Sequence, residues 1–446
     1  MKILVVNPYI YDFAAYDLWM KPLGLLYIVS VLRDVGFEVY YFDCACKPEG
    51  KVSEHGCSKI RAVEVEKPPV YKSIPRKYKR YGCAVEEFIL FMDDIGQPDL
   101  ILVSSGMTYW YLGVVETIKV IRSKFPEVPI ILGGAYATLC YEHAVSNSAA
   151  DFVFRGSSIY ELCKLIYSFV DVVSFTTKVE KKIPKSFCEY PAPDYDCSCY
   201  NKVLNYVALR TSIGCPFKCT YCAVPYLAPS FEYKAAEVVF SELVAFYNKG
   251  FRNFAFYDDA LLFHPQIKTL LLKIANSGLR FKFHTPNALH AKFISEEIAE
   301  LLYSCGFIHP RVGLEAASRE FHDFSGRKLT VEEYISAVER LCRAGYRPCE
   351  IITYVISSFP ARTFKELHET VKFLMSLGVR ISISEYSPVP YTAVFSLLPP
   401  EIRNEPLLHN RIAFSYLYES SYKYKEHLEE LKLEVKEYNE KLTKSY

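Results

Sequence analysis

The sequence predicts an α/β protein: an N-terminal doubly wound, Rossmann-like parallel sheet, then a βα barrel, whole or partial with six strands, then a helical tail. Three observations carry that expectation. Strand-like and helix-like runs alternate through the first 180 residues, the pattern of a parallel sheet. Five later helical segments each end at a glycine that leads into another strand-like run, at Gly250, Gly278, Gly306, Gly345 and Gly378. Glycine takes the left-handed conformation that closes a helix, so the repeat marks a βα succession. Finally, KYKEHLEELKLEVKEYNEKL sets Lys and Glu four residues apart, as on the solvated face of a helix packed against a domain.

Taken in order, Lys2–Asn7 is a buried-strand run, and Gly24–Val35 a helix ended by Gly36. Phe37–Asp43, Asp99–Ser105, Val128–Leu132 and Ala150–Phe154 are the next strands, with helical patterns at Leu112–Lys124 and Tyr160–Phe169. A doubly wound sheet takes its ligand at the carboxyl ends of its strands. Those ends read NPYIYDF, SSGMTYW, GGAYATL and RGSS.

Residues 181–204 carry three prolines and no sustained period, which marks a connection between domains. Strand-like runs then recur at Tyr206–Thr211, Phe251–Tyr257, Leu279–His284, Pro310–Leu314, Glu350–Ile356 and Val379–Ser384. The expected organisation is therefore residues 1–180 as the first domain, 181–204 as linker, 205–395 as barrel and 396–446 as helical segment.

Composition narrows the function. At 446 residues the chain is long enough for two or three domains, and a net charge of +1 gives no basic field to draw it to nucleic acid or an anionic membrane. MKILVVNPY runs straight into a strand, without the charged and apolar regions of a secretory signal, and no run of about 18 apolar residues occurs. A cytoplasmic protein is expected. Its 15 cysteines are an odd number scattered through a large chain, so packing or metal explains them better than a disulfide framework.

One group stands out. TSIGCPFKCTYCAVP follows the first barrel strand and offers Cys215, Cys219 and Cys222, where structural zinc sites and ordinary clusters use four protein ligands. Spaced four and three apart, three thiolates can wrap one face of a four-iron cube and leave one iron open, as a catalyst requires. CPFKCTYC resembles the Cys-x3-Cys-x2-Cys motif of radical S-adenosylmethionine (radical SAM) enzymes. The resemblance implies a [4Fe-4S] cluster on Cys215, Cys219 and Cys222, SAM chelated to the open iron, and reductive cleavage to a 5'-deoxyadenosyl radical.

It also implies SAM contacts. NFAFYDDALLF places Asp258 and Asp259 where the family has a segment receiving the SAM amino group. RVGLEAAS resembles the family's Gly-Leu-Glu-Ser segment and makes Glu315 a ribose or amino contact; SGRKLT offers Arg327 as a carboxylate partner, and FHTPNALH offers Asn287. His284 and His290 read as satisfied polar groups near a core. The fifth-strand turn departs from the family's Gly-x-Pro-Gly-Glu-Thr with SSFPART, and the sixth carries Tyr391 where glycine is common.

In the first domain, NPYIYDF lacks the G-x-G-x-x-G of a dinucleotide site. KPLGLLYIVSVLRDVGFEVYYFDC, GGAYATL and ADFVFRGSS instead resemble the cobalamin-binding domain joined to many radical SAM enzymes. That implies corrinoid contacts at Ser105, Met107, Gly133 and Gly134, without a cobalt-ligating histidine. YKSIPRKYKRYG reads as a solvated loop or phosphate-tail contact, and most remaining cysteines, Cys44 and Cys83 among them, as small buried residues. The combined expectation is a cobalamin-dependent methyltransferase acting on a small molecule or peptide at an unactivated carbon, with an electron donor such as flavodoxin or ferredoxin. The alternatives are a radical SAM enzyme without cobalamin whose N-terminal domain binds substrate, and a non-catalytic iron–sulfur or zinc protein.

Overall fold

A run of branched apolar residues without polar interruption suits a strand covered on both faces. β1 (Lys2–Asn7) is such a strand, with Ile3, Leu4, Val5 and Val6 wholly buried. The computed structural model describes residues 1–17, 19–46, 48–169, 180–196, 206–360, 362–418 and 422–444. The expected linker falls outside them from residue 197 onward, as does the Cys197-x-Cys199 pair. The chain divides into two compact units, Met1–Leu209 with Asn404–Leu407, and Arg210–Arg403 with Leu408–Tyr446.

In the first unit β1 pairs in parallel with β2 (Glu38–Asp43) on one side and β3 (Leu100–Ser105) on the other; β4 (Ile130–Gly133) and β5 (Phe152–Val153) extend the sheet beyond β3. The spatial order is β5-β4-β3-β1-β2. Chain direction across the sheet therefore reverses between β1 and β3, which opens a crevice at their carboxyl ends. Helices α1 (Leu23–Asp34) and α3 (Tyr111–Lys124) stand where the apolar periodicity predicts. The sequence reading lacks α2 (Val85–Ile95), whose Phe88, Met92 and Ile95 sit at helical spacing in the core.

The expected solvated loop at Tyr71–Gly82 needs correcting. Tyr71, Ile74, Tyr78 and Tyr81 recur at three- and four-residue spacing and are all buried. Rings of Phe13, Tyr71 and Tyr78 form a triangle with centroids 4.9 to 5.2 Å apart, and Lys79–Tyr81 pairs antiparallel with Ile10–Asp12. Aromatic burial outweighs the high charge of the segment, because the lysine heads can still reach water.

β6 (Val207–Leu209) leads into the second unit. There β7 (Asn253–Phe256) and β8 (Lys282–His284) pair in parallel, as do β9 (Arg311–Glu315), β10 (Ile352–Ser357) and β11 (Arg380–Glu385). Among the described residues the single bridges Phe283↔Phe307 and Leu289↔Val312 join the two groups and no pairing closes β11 back onto β6, so the barrel is partial. Phe256, Phe283 and Phe307 stack inside it at 5.0 to 6.0 Å. All five helix-ending glycines have positive φ; at Gly306 a side chain would also strike the carbonyl oxygen of Phe281, 2.4 Å from where its Cβ would stand.

α4 (Tyr422–Lys444) lies along the free edge of β11. Leu428, Leu431 and Val435 are buried, and Asn439 exchanges two hydrogen bonds with the main chain of Ile381, at 3.0 and 2.9 Å. A side-chain amide thus supplies the pairing that a neighbouring strand would give, which closes the edge to other chains.

Candidate active site

The three-cysteine loop is built on one carboxylate. Asp258, at the end of β7, accepts from Thr211 N at 3.1 Å, Thr211 Oγ1 at 2.6 Å, Ser212 N at 2.7 Å and Ser212 Oγ at 2.7 Å. It is buried, with Oδ1 taking all four donors and Oδ2 sharing Thr211 N at 3.1 Å; burial drives its carboxyl upward and these bonds pull it back. Asp258 therefore holds the loop, a use that the expectation did not assign to it. Asp259 Oδ2 accepts from Gly214 N at 3.2 Å while Oδ1 faces Arg210 at 3.9 Å, and its partly exposed carboxylate keeps capacity for another donor.

Farther along, the loop is tied from two other elements. Thr220 N donates to Ser325 O at 3.2 Å, and Val394 N to Thr220 O at 3.0 Å. Cys215, Cys219 and Cys222 are free and half-buried. Burial raises all three thiols, Cys222 to about 11. A soft metal would have to displace those protons, and the nearby Lys328 ammonium favours the thiolate at Cys215 and Cys219. Three soft donors on one loop beside a cation have the chemistry that a cluster needs. Among the described residues no three His, Cys, Asp or Glu side chains gather closely enough to hold a single metal ion.

Lys328 is the residue that sequence reasoning missed. Its Nζ meets Glu315 Oε1 at 2.6 Å with both side chains largely covered. Burial opposes the ammonium, but Glu315, Cys219 and Cys215 more than compensate and raise its pKa. Arg327 was the expected carboxylate partner in this stretch; instead its side chain is 77% exposed and bonds Asp323 at 2.7 Å. The reason is local: Asp323, on the helix that ends at Ser325, captures Arg327 outward just past the Gly326 cap, and the next side chain faces in. The i,i+4 spacing from Asp323 was the signal available in the sequence.

Asn287 is exposed, with its amide donating to Tyr257 O at 2.9 Å, so it ties β7 to the loop after β8. His284 is a satisfied core group, bonded to Asn253 at 3.1 Å. His290 does more than expected: it stacks on Phe217 and lies 3.9 Å from Cys215 Sγ, and burial, helped by Lys328, pushes its pKa down to about 3. It is a neutral wall beside the first thiol. Ala288, Glu315, Ser358 and Tyr391, all following or ending barrel strands, are non-glycine residues with φ between 52° and 66°. Such strained backbone gathers where side chains must be aimed.

In the first unit, Ser105 is buried and its hydroxyl donates to Met107 O at 2.9 Å, so it shapes the turn after β3 and leaves Met107 44% exposed. Gly134, at φ 89°, bridges Ser105; a Cβ there would stand 2.6 Å from Ser105 O. Gly133 is different. Nothing lies within 4 Å of the Cβ it lacks, so open space fronts the end of β4 and leaves room for the flat face of a corrin ring. Cys44 and Cys83, by contrast, are buried in the sheet's core.

Residues 209–374 match the sequence model of the radical SAM superfamily, which makes this stretch of the chain, the barrel, a radical SAM domain. Its relatives bring the two parts together. The solved structure of TsrM from Kitasatospora setae, a radical SAM methyltransferase captured with cobalamin and a [4Fe-4S] cluster, superimposes with TM-score 0.67 over 92% of this chain and 81% of that one, at 14% identity, a likeness of fold. By sequence the chain is 24% identical over 307 residues, 64% of each protein, to a tRNA-2-methylthio-N(6)-dimethylallyladenosine synthase of Lachnoclostridium phytofermentans. It is 21% identical over 304 residues to an uncharacterized methyltransferase of Pyrococcus horikoshii, covering 63% of this chain and 65% of that protein. The chain thus spans just under two thirds of the length of these two relatives. No helix among the described residues is long and apolar enough to cross a membrane.

Proposed function

We propose that the chain is a cobalamin-dependent radical SAM methyltransferase acting at an unactivated carbon, organised as a corrinoid-binding sheet, a linker, a radical SAM barrel and a packed helical tail. The observation that carries the reading is one loop presenting three half-buried thiols beside the Lys328–Glu315 pair at the carboxyl end of the barrel. When bound, the cluster supplies the electron that splits SAM into methionine and a 5'-deoxyadenosyl radical, and a corrinoid supplies a carried methyl group. Cys215, Cys219 and Cys222 hold the cluster. Glu315 and Asp259 receive the ammonium or hydroxyl donors of SAM, Lys328 its carboxylate, and Phe217 with neutral His290 keeps water from Cys215. The open space at Gly133 with Met107 takes the corrinoid, and Ser105 and Gly134 shape it. An external one-electron donor of the flavodoxin or ferredoxin kind is required.

The relatives named as methylthiotransferases favour a second reading, in which further cysteines hold a second cluster. Anaerobically reconstituted protein separates the two. The methyltransferase reading expects about four irons and equivalent sulfide per chain, extractable corrinoid, and 5'-deoxyadenosine formed from SAM with a reductant and a competent substrate. Zinc without labile sulfide would remove both readings; about eight irons without corrinoid would favour the second.

A further inference from the structure

Glu315 occupies a strained turn. Its φ is 62°, Ala316 N donates back to Leu314 O at 2.7 Å, and the register against β10 shifts between Gly313 and Glu315. A γ-turn with positive φ at its centre is rare and costly for a residue with a side chain, and it persists only where the surroundings over-determine it. The carbonyl of Glu315 leaves the strand ladder at this point.

Arg362 receives it. This arginine stands in SSFPART, in the place where the resembling family turn has glutamate, and is only 8% exposed. Nη1 donates to Glu315 O at 3.1 Å and to Ile356 O at 2.5 Å; Nη2 donates to Glu366 O at 3.3 Å and to Thr370 Oγ1 at 2.8 Å. Thr370 Oγ1 also accepts from Ala317 N at 3.1 Å. Among the described residues no carboxylate pairs with Arg362, and its buried Nε has no hydrogen-bond partner. A buried guanidinium compensated by carbonyl dipoles, one hydroxyl and the Phe321 ring 5.6 Å away, with no carboxylate bonded to it, is expensive for stability alone. What its planar fork provides is several donors in one rigid body, set against the main chain at the ends of two strands.

We propose that Arg362 is a positioning residue for the SAM site: by bonding the main-chain carbonyls of Glu315 and Ile356 it holds the strained turn that aims the Glu315 carboxylate at Lys328. The inference rests on the reading that Glu315 contacts SAM. Arg362 touches neither reactant and acts through Glu315. Without it the turn relaxes toward the ordinary extended conformation, and the carboxylate leaves Lys328.

The test uses full-length, anaerobically reconstituted protein, with iron and sulfide content and thermal midpoint as controls. Equilibrium dialysis measures the Kd for SAM, and electron paramagnetic resonance of the reduced cluster reads the perturbation by SAM. Arg362→Gln is expected to keep the cluster, raise the Kd for SAM on the order of 10- to 100-fold and alter the SAM-dependent spectrum. The double variant Glu315→Gln/Arg362→Gln should bind SAM no worse than Glu315→Gln, since both act through one element. Arg362→Lys should fall between wild type and Arg362→Gln. Thr370→Val, which removes only the hydroxyl that Arg362 and Ala317 share, should weaken SAM in the same direction by a smaller factor and covers the case in which Arg362→Gln fails to fold. Normal SAM binding in Arg362→Gln or Thr370→Val, with Glu315→Gln impaired, overturns the inference alone; so do effects that multiply in the double variant. Normal binding in Glu315→Gln removes the reading of Glu315, and the inference with it.

Discussion

Lys328 Nζ stands 2.6 Å from Glu315 Oε1, and the charge of Lys328 is felt by the thiols of Cys215 and Cys219. One short contact therefore couples the β9 carboxylate to the three-cysteine loop. A buried ion pair is costly to break from one side, because the remaining charge keeps its desolvation penalty without its partner.

Lys328→Met keeps the aliphatic stem and removes the charge. It is expected to destabilise the cluster-free protein by about 3 kcal/mol, read from urea unfolding, and to weaken SAM binding in the reconstituted enzyme. Arg327→Met should leave both near wild type, because Arg327 serves an exposed pair with Asp323. Equal behaviour of the two variants would mean that the buried pair carries no special weight.

The adjacent aspartates should separate just as clearly. Asp258→Asn turns an amide toward four donors on Thr211 and Ser212, so it is expected to cost about 2–4 kcal/mol and to lower iron incorporation as the loop loses its anchor. Asp259→Asn should incorporate iron normally and weaken SAM binding. Thermal unfolding, iron content and SAM titration measured together would show whether the roles are reversed.

Alanine in place of Cys215, Cys219 or Cys222 should abolish the cluster absorption and 5'-deoxyadenosine formation while leaving the chain folded. The thiols Cys44 and Cys83 lie in the packed core, and Cys83→Ala should retain full iron content. Loss of half the iron in Cys83→Ala would instead point to a second cluster.

Two neighbouring glycines make a paired test of the first unit. Gly134→Ala places a Cβ 2.4 Å from Ser104 Oγ and 2.6 Å from Ser105 O in a left-handed conformation, so the fold itself should suffer. Gly133 has extended backbone and open space before it. Gly133→Val should therefore fold normally and lose corrinoid, judged by the absorption spectrum of protein reconstituted with hydroxocobalamin. Retained corrinoid in Gly133→Val would remove this space from the binding surface.

Periodicity and spacing, read from the chain alone, determined the alternating sheet, the helix-ending glycines, the six strand-like runs of the barrel and the trio of cysteines, because each is a local pattern imposed by backbone geometry. The partners of individual side chains were settled only by the fold. Asp258 and Asp259 are adjacent and chemically alike, yet one is buried against Thr211 and Ser212 while the other bonds Gly214 and keeps partial exposure; Arg327 and Lys328 divide more sharply, one exposed and one covered. Those differences depend on what long-range packing brings to each side chain: Thr211 is 47 residues from Asp258, and Glu315 is 47 residues from Arg362. Contacts over such separations leave no period in the sequence, and burial, which decides whether a charge is anchored or available, exists only once the strands have come together.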